Sequence, residues 1–302
     1  MINSIIRTRA FSGAAIAVTL TAIVCTRIPL FKSLGFEFSA AVAIAGGFIA
    51  GLFMLGAWKA RQCQTLREAR IFIGSTAALL LLLSLLPLFI ALGSALFIKN
   101  CSIAAGMEYY FLLAVPSFLF CGALAFLVAV VSYRFQKTFF IVLTLLILAH
   151  IPLVALLRPQ IFAFNPIIGY FPGITYDESI NILRSLIIYR LGTAAASVAI
   201  ASFALWLWER KRTSDDEPSQ HAIPELILLA LLVPFVCILF LFSDRIGLSS
   251  SEDFIRAKLG GSYRTAHCEI VYPSGLWKRE YVERLGVLHE YYYEQLSRYF
   301  QV

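Results

Sequence analysis

The stretch "IFIGSTAALLLLLSLLPLFIALGSALFI", residues 71–98, sets the class of this protein, because none of its 28 residues carries a charged side chain. A helix crosses the roughly 30 Å hydrocarbon layer of a membrane with about 20 mostly apolar residues. Six more stretches have this character, at residues 10–25, 38–58, 109–133, 138–157, 187–208 and 226–242. The first is short and follows two arginines, as in a signal peptide, but no small-x-small cleavage site follows it. We therefore predict seven membrane-spanning helices.

The composition agrees with an integral membrane protein. Of the 302 residues, 60% are hydrophobic and 14% are charged, whereas soluble domains contain about 25% charged residues. Residues 1–243 hold seventeen Lys or Arg and ten Asp or Glu, and residues 244–302 hold eight of each. The surplus basic residues stand singly between apolar stretches and form no stripe, which is typical of topology control. We therefore expect no nucleic-acid partner.

Basic residues between the spans predict the orientation. Alternate segments carry eleven Lys or Arg on one side of the membrane and six on the other. Since the side richer in Lys and Arg faces the cytoplasm, the N-terminus is expected inside and the C-terminal segment outside. We expect a multi-pass protein of the cytoplasmic (inner) membrane, with the lipid bilayer as its partner.

Residues 1–243 are therefore predicted to form a transmembrane helical domain and residues 244–302 an extracytoplasmic segment. Within that segment, side chains alternate from Tyr263 to Tyr272, which predicts one half-buried strand. Residues 273–275 predict a turn, and a helix of about 25 residues follows. Its apolar residues recur every three or four positions, at Val282, Leu285, Leu288, Tyr292, Leu296 and Tyr299. The fold class is all-α and polytopic, with a small C-terminal strand and amphipathic helix.

This strand and helix are too small to form an independent domain, because folds below about 40 residues usually need staples or partners. Three explanations stay open. The helix could lie flat on the membrane, a partner chain could supply more strands, or the rest of a soluble domain could be missing from this sequence.

The loop "FNPIIGYFPGITYDESI", residues 164–180, is the candidate functional segment. Prolines, glycines and aromatic residues predict an ordered loop seated at the membrane surface. One interpretation is a re-entrant loop in which Asp177 caps the next helix. The other is that the loop docks the soluble part, or that its acidic pair contacts a ligand or cation. The candidate residues are Asn165, Pro166, Tyr170, Pro172, Gly173, Tyr176, Asp177 and Glu178.

Ionisable residues within the spans are few. His150 is interpreted as an interface histidine bonded to a neighbouring helix, and Arg190 and Glu225 are expected to snorkel to the membrane surface. Gly47 and Gly51 form a GxxxG pair, which predicts close helix packing. Glycine-rich phosphate loops are absent, so an ATPase site is not expected in this chain.

Six cysteines show no CxxC pair and no zinc-ligand spacing. Cys101 and Cys268 lie on the same side in the predicted topology, so a disulfide between them is an open alternative. The position of Cys268 on the apolar face of the strand argues against it.

The C-terminal stretch "YRTAHCEIVYPSGLWKREYVERLGVLHEYYYEQLSRYF" resembles the opening of the extracytoplasmic domain of gluzincin-type zinc metallopeptidases. Such domains begin with a strand of the form T-x-H-F-x-I-x-Y-P, followed by a long helix. The residues that match are Thr265, His267, Ile270, Tyr272 and Pro273, with Cys268 where Phe is usual. Some bacterial members carry several N-terminal spans and a loop similar to residues 165–178. The resemblance implies that residues 244–302 are an incomplete peptidase-like domain.

The zinc motif of that family is not complete here. A catalytic zinc requires the HExxH arrangement, two histidines one helical turn apart with a glutamate beside the first. His289 and Glu290 are followed by Tyr293 at the fifth position, so we interpret both as helix-surface residues and His267 as structural. We therefore assign no catalytic, cofactor-binding or metal-binding residue in this chain. Zinc is expected only in a missing downstream domain.

Two functions follow from these observations. The first is the membrane-anchoring part of a peptidase-like protein, inactive alone, whose partner is a missing or separately encoded soluble domain. The alternative is a permease-like transport subunit that works with a separate ATPase bound at residues 59–70. A receptor or assembly scaffold is a third, and the oligomeric state is left open.

Overall fold

The computed structural model describes residues 2–6, 8–61, 63–97, 102–132, 134–160, 162–173, 183–212 and 223–300. The chain divides into two compact units. The first comprises Met1–Leu156 and Ile161–Leu248, and the second comprises Leu157–Gln160 and Ser249–Val302.

Seven helices of the described chain are long and apolar enough to cross a membrane, which confirms the predicted number of spans. They follow a short helix α1, Ile2–Ile6. In chain order they are α2 Arg9–Arg27, α3 Phe36–Arg61, α4 Leu66–Ala95, α5 Ile103–Val131, α6 Gln136–Leu157, α7 Arg184–Arg212 and α8 Ile223–Leu241. A single turn, α9 Ser243–Ile246, ends the first unit.

Side-chain caps fix where several helices begin. The Thr65 hydroxyl accepts a hydrogen bond from the Glu68 N–H (3.2 Å), and a Glu68 carboxylate oxygen accepts one from the Gln64 N–H (3.0 Å). Ser102 caps α5 in the same way, through the Ala105 N–H. These bonds satisfy N–H groups that have no partner within the helix.

The most buried helix is α5, which packs extensively against α3 and also against α7. Glycines on α3 make room for side chains of α5 and α6. A Cβ atom added at Gly47 would lie 3.0 Å from Sγ of Cys121, and one added at Gly51 would lie 2.0 Å from Cζ of Phe140 on α6. The predicted packing role of this glycine pair is confirmed.

Two short strands follow α6 in the first unit. Strand β1, Ala163–Asn165, pairs antiparallel with β2, Gly169–Phe171, and Asn165 lies opposite Gly169. This hairpin was not predicted from the sequence. It belongs to the candidate loop and is described with the candidate site.

The second unit contains helix α10 Glu252–Leu259, strands β3 Gly260–Arg264 and β4 Glu269–Pro273, and helix α11 Arg279–Phe300. The prediction of one continuous strand over residues 263–272 is wrong, because β3 and β4 form an antiparallel hairpin in which Arg264 lies opposite Glu269. Thr265 closes the turn: its N–H donates to the Cys268 carbonyl (2.8 Å), and its hydroxyl accepts from the Cys268 N–H (3.0 Å). Cys268 is a free thiol, and Cys101 lies outside the described residues.

Helix α11 agrees with the predicted amphipathic helix and packs by one face on the β3–β4 hairpin. Val282 and Gly286 are buried. A Cβ atom added at Gly286 would lie 2.7 Å from the Tyr263 ring, so helix and hairpin are in close contact. Helix α10 was not predicted, although Ser251 caps its start and Gly260, with a φ of +73°, ends it.

We expect Gly51→Ala to destabilise the first unit, because the new methyl group would overlap the buried Phe140 ring. Overpacking of this kind costs about 1–3 kcal/mol of unfolding free energy. Gly74→Ala on α4 is the matched control, since nothing lies within 4 Å of its added Cβ atom. Thermal unfolding in detergent, followed by circular dichroism, compares the two variants. Equal melting temperatures would contradict the packing role of Gly51.

Candidate functional site

The candidate loop is built around the β1–β2 hairpin. Asn165 ends β1, Pro166 begins the turn, and Tyr170 lies in β2. Pro172 and Gly173 follow β2 directly. The other three candidate residues, Tyr176, Asp177 and Glu178, lie outside the described residues, so the interpretation of the acidic pair stays a prediction.

The hairpin reaches the middle of two spanning helices. The Ser117 hydroxyl donates to the carbonyl of Ile167 at the hairpin tip, and Ser117 is the central residue of the 29-residue α5. The Asn165 side-chain amide donates to the carbonyl of Ile147 (2.7 Å), which lies midway along α6. Ile167 itself is fully buried in the main hydrophobic core. The hairpin therefore contacts α5 and α6 midway along their length and not at their ends.

Its turn is held by local hydrogen bonds. The Asn165 side-chain oxygen accepts from the N–H groups of Ile167 (2.9 Å) and Ile168 (3.4 Å). Gly169 has a φ of +96°, and a Cβ atom there would lie 2.5 Å from the Leu113 side chain. Only glycine fits both this conformation and this contact.

Arg190 on α7 clamps the hairpin to α5. Its Nη1 donates to the Pro166 carbonyl (2.9 Å), and its Nη2 donates to the Leu113 carbonyl (2.7 Å) and the Ser117 hydroxyl (3.1 Å). The residue is 2% exposed. The prediction that Arg190 snorkels to the membrane surface is wrong, because the guanidinium points into the protein toward these three acceptors.

Glu225 was also expected to snorkel, and this too is wrong. It is buried in the first turn of α8 and forms a two-point ion pair with Arg70 of α4, at 2.6 Å and 2.7 Å. A buried carboxylate requires such a partner, since an unpaired charge away from water is costly. His150, in contrast, is exposed on α6.

Aromatic rings of the hairpin pack against each other and against α7. The Phe164 ring lies 5.1 Å, centroid to centroid, from the rings of both Tyr170 and Tyr189. Phe164 is buried in a second hydrophobic cluster with Leu113 of α5. The loop aromatics were expected to seat the loop at the membrane surface, but Phe164 packs into the protein.

The charged group of the site is the Arg190 guanidinium, which is held by uncharged hydrogen-bond acceptors. The Arg190 charge faces two carbonyls and a hydroxyl, and its Nε has no hydrogen-bond partner among the described residues. No group of three His, Cys, Asp or Glu side chains in the described part of the chain is placed to hold a metal. The arrangement suits positioning of the hairpin, since it fixes backbone that no helix satisfies.

In the second unit, Glu290 on α11 binds the β3–β4 turn. Its carboxylate accepts from the His267 N–H (2.8 Å) and lies 2.7 Å from His267 Nδ1. The His267 side chain, followed by the Thr265 hydroxyl and the His267 N–H, lowers the pKa of Glu290 to about 2. The Glu290 carboxylate and His267 therefore join α11 to the β3–β4 turn.

The residues that resemble a zinc motif do not fit a catalytic zinc. His289 is exposed, and Glu290 is engaged with His267. The Tyr293 ring, at the position of the second histidine, stacks on the His267 ring with centroids 4.3 Å apart. Tyr293 therefore packs against the β3–β4 turn, and His289 is the one histidine on α11.

Sequence reasoning missed Arg190 and Ser117 as members of the site. A charge inside an apolar stretch was the available indication for Arg190, because such residues usually face the protein interior. Ser117 gave none, since serine is common at contacts between spanning helices.

We expect Arg190→Gln to lower the unfolding free energy of the first unit by about 1.5–3 kcal/mol or more, because a single hydrogen bond to a charged group typically contributes that amount. Hydrogen exchange of residues 163–171 should increase in the same variant, because the Pro166 carbonyl in the turn loses the Arg190 donor that joins the hairpin to α7. Arg184→Gln, at an exposed position of the same helix, is the control and should leave both measurements unchanged. Unaltered exchange in Arg190→Gln would contradict the clamp.

We expect Glu290→Gln to destabilise the second unit at pH 7. Because the folded pKa of Glu290 is about 2 against an ordinary value near 4.5, its stabilising effect is present above pH 4.5 and is lost as the pH falls toward 2. The difference between Glu290→Gln and the wild type should therefore shrink as the pH falls below 4.5 and disappear below about pH 2. Chemical denaturation in detergent at a series of pH values tests this. Glu294→Gln, which removes only an exposed pair with Arg298, should show little effect at any pH.

Comparisons of the chain with models of protein families, with curated proteins and with solved structures found no match. The function is therefore inferred from the chemistry and packing of these two units.

Proposed function

We propose that this integral membrane protein is the membrane-anchoring part of a peptidase-like protein and is inactive alone. The observation that carries the proposal is the second unit, whose strands and helix leave bonding edges and an apolar face that no other described residue covers. Further polypeptide, in the same chain or encoded separately, would complete it.

The β3–β4 hairpin offers two strand edges. Among the described residues, β3 and β4 pair only with each other. A two-stranded hairpin is marginal in water and usually gains stability from additional strands or a covering helix. Its outer edges expose N–H and C=O groups that can accept another strand. Added strands would turn the hairpin into part of a larger sheet.

Helix α11 offers the apolar face. Val282 and Gly286 pack against the hairpin, whereas Leu288, Tyr292 and Leu296, on the neighbouring face, are each about half exposed. A continuous apolar face of this kind commonly marks a contact with more protein. The order of strand and long helix resembles the opening of the gluzincin domain, in which both elements belong to a larger fold.

The first unit has the properties of an anchor. Among the described residues, six of its seven spans, α2 to α7, contribute side chains to one hydrophobic core, and the β1–β2 hairpin is fixed to α5, α6 and α7 by side-chain hydrogen bonds. A stable bundle of this kind can hold a soluble domain at one membrane surface. The cytoplasmic (inner) membrane, with the second unit outside, is the location that the distribution of Lys and Arg favours.

A permease-like subunit with a separate ATPase is the second candidate. Re-entrant backbone and a buried, unpaired charge at membrane depth occur in transport proteins, where they line substrate paths. The β1–β2 hairpin and Arg190 are the observations that favour it. Here both are packed against neighbouring helices, which suits the anchor better.

We test the proposal with the polypeptide encoded immediately downstream, expressed as a separate chain beside this protein. That polypeptide should contain HExxH within about 150 codons, the length of one domain. It should co-purify with this protein, and the complex should hydrolyse an unfolded protein substrate in a zinc-dependent way.

Leu288→Asp should lower co-purification about tenfold or more, because an interfacial charge without a partner costs well over 1.4 kcal/mol. Val287→Asp adds the same charge one residue earlier, turned about 100° around the helix, and should leave co-purification unchanged. A downstream sequence without HExxH would contradict the peptidase-like assignment. Retention of a nucleotide-hydrolysing partner instead would favour the permease-like subunit.

A further inference from the structure

We propose that a basic cleft at one end of the helical bundle binds the phosphate group of an anionic phospholipid. The basic cleft has a volume of about 630 Å³ and lies between the end of α3 and the start of α6. Its lining comprises Leu55, Gly56, Lys59, Arg134, Phe135, Gln136, Lys137 and Thr138. This volume is within the range of small-molecule sites.

Among the described residues that line the cleft, three carry a positive charge and none carries a negative charge. Lys59 lies in the last turn of α3, Arg134 lies between α5 and α6, and Lys137 lies in the first turn of α6. All three are exposed, and none of them forms a salt bridge with a described carboxylate. Three positive charges at one cavity favour a ligand with negative charge.

Other side chains satisfy the helix end beside the cleft. Near the C-terminus of α5, the Gln136 amide donates to the Ala129 carbonyl (3.3 Å) and Lys211 donates to the Val130 carbonyl (2.9 Å). The three cations of the basic cleft are therefore not needed for capping α5. The N-terminus of the 22-residue α6, also at the cleft, adds partial positive charge.

The position of the cleft favours a lipid over a soluble phosphate. It lies where two membrane-spanning helices end, the depth at which headgroups lie. Phe135 is 63% exposed and carries the Arg134 guanidinium 5.5 Å from its ring centroid, which joins an apolar surface to a cation. Leu55 and Gly56 supply further apolar lining. A phosphate with acyl chains matches both parts of this surface.

The experiment titrates phosphatidylglycerol or phosphatidylcholine into the delipidated full chain and counts bound lipids by native mass spectrometry. We expect phosphatidylglycerol to bind more tightly, and the preference to weaken in high salt. Lys59→Gln/Arg134→Gln/Lys137→Gln should lower the affinity for phosphatidylglycerol on the order of one hundredfold, since each charge near a membrane surface contributes about fivefold.

Arg27→Gln/Lys32→Gln/Arg184→Gln is the matched control. It removes Arg27 at the end of α2, Lys32 between α2 and α3, and Arg184 at the start of α7, all at helix ends opposite to those that form the cleft. It should therefore retain the preference for phosphatidylglycerol. Because the altered side chains in the site variant are exposed, the fold should persist, and circular dichroism checks it. Equal lipid affinity in both triple variants would overturn the proposal. Inorganic phosphate that displaces phosphatidylglycerol at millimolar concentration would overturn the lipid assignment in favour of a soluble anion.

Discussion

Every backbone N–H and C=O group inside a membrane must find its partner within the protein, and this constraint shapes the first unit. The seven long helices meet it internally except at four interior prolines, which lack the N–H that would bond the carbonyl four residues earlier: Pro87, Pro116, Pro152 and Pro234. The β1–β2 hairpin cannot, because its two three-residue strands leave the turn at residues 166–168 without a regular ladder. Ser117, Asn165 and Arg190 supply the missing partners from the middle of α5, from the turn itself and from α7. The hairpin and the helices around it therefore depend on three polar side chains.

Two buried charges in this bundle are accommodated in different ways. Glu225 meets a full opposite charge on Arg70, with two short N–O contacts. Arg190 meets only the dipoles of carbonyls and a hydroxyl. The ion pair joins α4 to α8, and the dipole-bound guanidinium joins α7 to α5 and to the hairpin. Polar contacts thus connect helices that are far apart in sequence. Apolar packing alone would do little to determine which helices pack against each other.

The spans could be predicted from sequence because a run of about 20 apolar residues has few alternatives. The direction of a side chain could not be predicted in the same way. Arg190 lies near a helix end, which permits snorkelling, but its observed contacts depend on which face of α7 meets α5. The strand predicted over residues 263–272 failed for another reason. Each arm of a hairpin keeps the alternation of a single strand, so period two persists across Thr265–Cys268 with no Gly, Pro or Asn to mark the turn. Helix α10 had readable caps but only eight residues.

The position of Arg190 in the chain has a consequence for biogenesis. The hairpin at residues 163–171 emerges from the ribosome before α7, yet its turn is completed by a guanidinium that α7 delivers. Until α7 has been synthesised, the Pro166 carbonyl therefore lacks its Arg190 donor, whereas the Ser117 hydroxyl already has an acceptor within α5, the Leu113 carbonyl. The hairpin therefore reaches its final hydrogen-bonding pattern only once α7 has packed against α5.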